Sequence, residues 1–312
     1  MTRRSARQTF AAIHWTTALA ALLLAVLVVP SVRATEVPIG VSASQYAVLY
    51  EGTGGNTLHI TNVTINGNVG VGGTGKVSDS GPSTVKGRLD FSAANTSQFS
   101  GAPGDTGPTS INYSVAAVTT ALNNVNSLNS SLAGLGTGLA ISGTQTINAS
   151  AGQLDTVNGV TYRVFNITSY TAVDGNVLTI NGDLNGDPVV FNFSATLGDV
   201  NLKGDVTLSG LNDDQVLWNF TGSGKNINLN TNASSYKLPL AFQGIILAPN
   251  DVLSLTNANL DGRVFGGDSS DMQIVSGDTI KAPTTVVPEP ATLALLGTGM
   301  LGLASFVRRR HK

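Results

Sequence analysis

Residues Asn56–Gly73 read NTLHITNVTINGNVGVGG, and their pattern decides the fold. Apolar and polar positions alternate, which sets Leu58, Ile60, Val63, Ile65, Val69 and Val71 on an inward face. The phase slips at Asn62, so this is a corner and not one long strand. Asn66-Gly67 and Gly72-Gly73 are turn pairs. Many short strands joined by Gly/Asn corners are what a parallel β-solenoid requires.

The same signal returns strongly from Gly175 to Gly277. Its runs include Val177–Ile180, Val189–Phe193, Val200–Leu202, Val206–Leu208, Val216–Phe220, Ile227–Leu229, Ala241–Leu247, Val252–Leu255, Arg263–Phe265 and Met272–Val275. Asn181-Gly182, Asn185-Gly186, Lys203-Gly204 and Asp261-Gly262 are the corners. Runs this short and this tightly joined leave no room for crossover helices. They suit stacked solenoid coils or, as the alternative, a sandwich.

One segment departs from the β pattern. Ile111, Val115, Val118, Leu122, Val125, Leu128 and Leu132 recur at spacings of three and four, predicting an amphipathic helix over residues 110–133. Its other face is uncharged Asn, Ser and Thr, so packing of the apolar stripe must hold it. The expected fold is therefore mainly β: a parallel β-solenoid with one long amphipathic α-helix along its flank.

Charge and cysteine narrow the function. Between Ala34 and Pro288 nine Lys/Arg face eighteen Asp/Glu, a net charge near -9. Such a body is repelled by phosphate backbones, which argues against a nucleic-acid partner. The chain has no cysteine, so no disulfide, thiolate metal site or lipid-modified Cys is available. Of three histidines only His59 lies in the body, poor material for a triad or a multi-histidine metal site.

The two ends carry a topology. Arg3, Arg4 and Arg7 precede an apolar run from Ala18 to Val29, then Pro30, then Val32-Arg33-Ala34. This is the layout of a secretory signal peptide over residues 1–34 with cleavage after Ala34. At the other end Lys281–Val287 is a Pro/Thr/Val linker, followed by Val287-Pro288-Glu289-Pro290, an apolar helix over 291–307, and Arg308-Arg309-Arg310-His311-Lys312. The apolar segment is at the lower limit of a membrane span. The basic cluster stays cytoplasmic under the positive-inside rule. The chain thus divides into residues 1–34, a body of 35–280, and a segment of 281–312.

The tail resembles the PEP-CTERM sorting signal, which is also called an ice-binding protein C-terminal domain. That resemblance implies export through the inner membrane of a Gram-negative bacterium that makes exopolysaccharide. It also implies a transient transmembrane anchor and processing by an exosortase near Pro288-Glu289-Pro290. The alternative is an ordinary membrane anchor, with Gly297, Gly299 and Gly302 as helix contacts. The body carries a second resemblance. Val216-Leu217-Trp218-Asn219-Phe220, Gly244–Asn250, Asn259–Gly267, Met272–Gly277 and Asn66–Gly73 are similar to the choice-of-anchor A family. That family implies an adhesin-like β-solenoid with an interchangeable C-terminal anchor. It is distantly similar to ice-binding solenoids, which also place a long helix beside a β-helix.

Candidate sites are few. Asp residues dot the C-terminal half, and Asp268 and Asp271 are the best pair for calcium, although Asp at a Gly-rich corner is ordinarily a turn former. Glu36 and Glu51 are the body's glutamates, and both precede the main β region, so a paired-carboxylate glycosidase is disfavoured. Sequons at Asn62, Asn166 and Asn219 most simply reflect composition. Ice binding requires Thr or Ser ladders at regular spacing, and no constant repeat stands out. The expectation is an exported, non-enzymatic surface or biofilm-matrix protein without a cofactor. Its expected partners are the secretion machinery, an exosortase, the membrane and exopolysaccharide. The alternative is an ice- or carbohydrate-binding solenoid.

Overall fold

Strands of two kinds build the body, and burial separates them. In the computed structural model, which describes residues 35–94, 96–101, 106–230, 240–267 and 270–283, the chain winds through three mainly parallel faces. Face A holds strands such as Val189–Phe193 and Val216–Phe220, buried at every position. Faces B and C hold strands such as Thr57–Thr61, Val252–Thr256 and Val177–Asn181, buried at alternate positions only. A strand covered on both sides must be apolar nearly throughout, whereas one with a wet side alternates.

The layers do not follow sequence order. Along face A the order is Thr137–Ile141, Val160–Tyr170, Val189–Phe193, Val216–Phe220, Leu240–Ala248, Ala258–Gly266, Tyr46–Tyr50, Asn68–Val71, Leu89–Phe91, Ile111–Asn112. The N-terminal strand is therefore spliced in after the C-terminal coils. Val48 pairs with Val264 on one side and with Val69 on the other. From the splice the chain winds to one end and returns alongside the stack through helix α1 (Ala116–Leu132). It then winds back to the splice. Nine strand spacings of ~4.8 Å separate the end layers by ~43 Å. A helix of 17 residues covers only ~25 Å of that, and the extended linkers on either side supply the rest.

The helix begins later than its sequence pattern predicts. Ile111–Asn112 is a strand closing the last coil, with Ile111 paired to Leu89, and Ser114 turns the chain with φ 58. Ile111 has the right spacing for the stripe, but a free strand edge with an apolar pocket claims it first. From Val118 onward the stripe behaves as predicted. Val118, Leu122, Val125, Leu128 and Leu132 are buried against Tyr46, Leu49, Val190, Leu217, Ile245 and Phe265, the outer side of face A. The inner side supplies Val48, Phe191, Trp218, Ile246 and Val264 to the central core, where Phe165, Phe191, Trp218 and Phe242 lie at successive centroid distances of 5.4, 4.7 and 4.8 Å.

Asparagines pin the helix to the sheet. Asn129 donates to the Asn219 side chain and to the Phe220 carbonyl, both at 2.8 Å. Asn219 in turn donates to Asn192 at 2.8 Å, and Asn192 donates to the carbonyls of Leu132 and Leu135 at the helix end. A buried amide left unpaired costs ~1–3 kcal/mol, so this chain of bonds fixes how the helix seats. It also removes Asn219 from consideration as a glycan acceptor, because its side chain is fully buried.

Corners follow a column logic. At the edge between faces C and A, Gly244 and Gly262 stack so closely that a Cβ on Gly262 would collide with the Gly244 carbonyl. At the edge between B and C, Asn62, Asn257 and Ser276 share the left-handed conformation, with φ of 55, 54 and 67. The slip of phase at Asn62 is this corner.

The predicted signal segment 1–34 and the predicted membrane helix 291–307 lie outside the described residues. Among the described residues no helix is long and apolar enough to cross a membrane.

Leu122→Asp would place an unpaired carboxylate between α1 and face A. Thermal or urea unfolding of the purified body is expected to show a loss of at least ~3 kcal/mol. Wild-type stability in this variant would mean that α1 is not held there.

Candidate functional site

The middle strands of face A are closed to ligands, with the core on one side and α1 on the other. Faces B and C keep one side in water along much of their length, which makes them the broadest candidate ligand surface.

On face B the backbone register lines up Asn201, Asn228, Ser254, Gln273, His59, Ser78 and Ser100 in one row across seven strands. A second row runs Asn230, Thr256, Val275, Thr61. Neighbours bond along the rows: Asn228 donates to Asn201 at 3.2 Å, and the hydroxyls of Thr61 and Ser80 lie 3.0 Å apart.

Face C carries threonine. Thr146, Thr179 and Thr207 are in register near one end, with the last two hydroxyls 3.2 Å apart. Toward the other end the row is Asn259, Thr279, Thr64, Thr84, Thr106. Each row sets hydroxyl or amide groups at the ~4.8 Å strand spacing, a regular array of donors and acceptors.

These ladders are the surface feature that the sequence conceals. Partners in register are 19, 27, 28 or 33 residues apart, so there is no constant period to find. The row through Thr279 and Thr64 also crosses the splice. The one available signal was local: Thr61-Asn62-Val63-Thr64 and Thr256-Asn257-Ala258-Asn259 share a corner pattern.

Of the predicted calcium pair, only Asp271 is among the described residues. Asp268 lies outside the described residues. Asp271 accepts a hydrogen bond from the Thr57 N–H at 2.7 Å and sits 3.4 Å from His59 Nε2, so it caps a strand of face B. Among the described residues no group of three or more His, Asp or Glu is placed to hold a metal ion. Ala34, the sorting residues Val287, Pro288, Glu289 and Pro290, and Arg308, Arg309 and Arg310 also lie outside the described residues.

A recess of about 510 Å³ opens beside the C/A edge, lined by Glu36, Leu211, Asn212, Asp213, Asp214, Gln243 and Pro283. Burial, and then the nearby Asp261 and Asp214 charges, push Asp213 up to about 6. Asp214 is held by Arg263 at 3.2 Å and lies inside the short turn Asp213–Gln215 that enters Val216–Phe220. Among the described residues faces B and C show no exposed aromatic platform of the kind typical of sugar clefts: Trp218 and Phe191, Phe193, Phe220 and Phe242 are interior.

Asp278 supports the B/C edge from within. Its carboxylate accepts the N–H groups of Ala258 and Val275, while burial pushes it up to about 7 against the pull of those donors. A carboxyl raised in the folded state contributes stability that is fully present below its unfolded pKa near 4 and lost as pH rises through about 7. The melting temperature of the body is therefore expected to fall between pH 5 and pH 8. Asp278→Asn should flatten that slope. A variant as steep as wild type would assign the slope to other groups, Asp213 first.

The comparisons fit this geometry. Residues 32–274 match the family described as an ice-binding-like adhesive domain, and residues 286–310 match the PEP-CTERM protein-sorting motif. Among solved structures, an ice-binding protein from the Antarctic ascomycete Antarctomyces psychrotrophicus is 17% identical with a TM-score of 0.51, covering 80% of this chain and 100% of that one. A glycosylated ice-binding protein from an Arctic yeast is 15% identical with a TM-score of 0.46, covering 82% and 97%. A Shewanella frigidimarina ice-binding protein is 14% identical with a TM-score of 0.44, covering 79% and 97%. At 17% identity the first of these likenesses concerns the fold alone. No curated protein matches the chain.

Proposed function

Because the chain belongs to the ice-binding-like adhesive domain family, and ends in a PEP-CTERM motif, we propose that it is an exported, non-enzymatic adhesive protein of a Gram-negative cell surface or matrix. An exosortase would process the tail near Pro288-Glu289-Pro290, after removal of residues 1–34. The observation that carries the adhesive part is the pair of wet faces with Asn, Ser and Thr in register. Such faces offer many weak hydrogen bonds over a wide area and no deep pocket. That suits a repetitive, hydroxyl-rich surface such as exopolysaccharide better than a small substrate.

Mass spectrometry of the protein recovered from host cells tests the sorting part. The mature chain is expected to start at Thr35 and to lack any peptide containing Arg308–Lys312. Recovery of the intact basic C-terminus would leave an ordinary membrane anchor. Replacing Pro288, Glu289 and Pro290 with Ala should keep the apolar helix and block processing, giving a heavier, membrane-retained form.

One observation favours a second reading. The Thr279–Thr64–Thr84 row on face C is the kind of regular hydroxyl array that orders water, so binding to ice is the alternative function of the same solenoid. Thermal hysteresis or inhibition of ice recrystallisation by the mature protein would support it. Loss of that activity in Thr64→Tyr, with adhesion retained, would assign it to face C.

A further inference from the structure

The chain leaves the solenoid from its side and not from an end. Its last strand, Thr279–Lys281, lies on face C between Ala258–Gly266 and Thr64–Asn66, in the seventh of ten layers. The face A position of that layer is already filled by Tyr46–Tyr50, so the chain cannot continue around the coil. It turns out at the C/A edge, where Ala282 sits against Gly67. Arg263, 1% exposed, holds the exit: it donates to the Tyr46 carbonyl at 2.7 Å, to Asp214 at 3.2 Å and to the Pro283 carbonyl at 3.4 Å.

We propose that the sorted protein is held side-on, with its C/A edge against the cell surface and face B turned outward to meet a neutral, hydroxyl-rich polymer. This rests on the sorting function proposed above. Residues Thr284–Val287 separate the pinned Pro283 from Pro288, so the tether spans at most ~18 Å to the start of the sorting motif. The far end of the solenoid lies six layers from the exit, ~29 Å away, beyond that reach. The near end lies three layers away, ~14 Å, and standing on it would stretch the tether almost fully. Face B is the side opposite the C/A edge of a three-sided body, and the tether would have to pass around the body to bring it down. The chemistry of face B fits the partner. Its central row holds no Asp, Glu, Lys or Arg and presents amides, hydroxyls and the His59 imidazole, which match sugar hydroxyls and give little purchase on a charged surface.

The absence of cysteine makes the orientation measurable. Gln273→Cys marks face B, and Lys86→Cys marks face C where it meets the C/A edge; both positions are exposed. Each full-length variant is expressed in the host with its exosortase and treated with a bulky maleimide, on intact cells and after extraction. We expect Gln273→Cys to label equally in both settings and Lys86→Cys to label several-fold more slowly on cells. Equal labelling of Lys86→Cys on cells and in extract, or protection of Gln273→Cys instead, overturns the side-on arrangement. Protein found in the medium with an unprocessed tail would instead defeat the sorting function itself. On the extracted protein, purified neutral exopolysaccharide should slow labelling at Gln273→Cys and leave Lys86→Cys unchanged. No protection at Gln273→Cys overturns the choice of partner.

Discussion

Parallel pairing of Tyr46–Tyr50 between Ala258–Gly266 and Asn68–Val71 is the contact on which the rest of the structure depends. It joins a group of N-terminal coils to a group of C-terminal coils and turns two short stacks into one. Without it each stack would end in an open, apolar strand edge, which invites pairing with another chain. The splice also fixes what surrounds it. Tyr46 is seated under α1, its carbonyl receives Arg263, and the exit of the C-terminal segment is forced to the side of the body. Core, helix and tether therefore share one set of backbone hydrogen bonds.

An exported body with no cysteine needs another means of holding distant segments, and buried polar groups take that part. Arg263 ties three separate chain regions together, and the Asn129–Asn219–Asn192 bonds tie α1 to two layers of face A. Neither arrangement adds much net stability over an apolar equivalent. What they supply is registration. A smooth apolar stripe on α1 could slide along face A by a turn, and an amide chain that must be satisfied at both ends cannot. The stacked glycines at the C/A edge act similarly, since Gly244 and Gly262 admit the coil only at one spacing.

Much of this was legible because it is local. Alternation in Leu58–Ile60 and Val63–Ile65, the corner at Asn62, and the continuous apolar run Val189–Phe193 all report burial through a period of two residues. The stripe of α1 was legible through its period, and its first turn was misread because Ile111 serves a strand with equal hydrophobicity. The splice was not legible: nothing near Val48 encodes a partner more than two hundred residues away. The ladders were hidden for the same reason, since their periodicity exists across strands and not along the chain. The sorting motif is the opposite case. Its signal lies along the chain, in Val287-Pro288-Glu289-Pro290 and the basic cluster after the apolar run, so the sequence alone carries it.

Topology finally sets an order on events. Tyr46–Tyr50 emerges early, yet its neighbour Ala258–Gly266 and the strand Thr279–Lys281 beside it are the last parts of the body to appear. The N-terminal coils must therefore wait with one edge unpaired until nearly the whole body has emerged. Loop closure over such a distance is slow, and its entropic cost grows only gently with length. The residues that complete the splice are followed almost at once by Val287-Pro288-Glu289-Pro290 and the apolar segment 291–307. Under the sorting function proposed above, a chain halted there would have all its strands on the outer side of the membrane and the closing strand next to its tether. The body would then close before the tail is processed, and the open edge would not be released into solution.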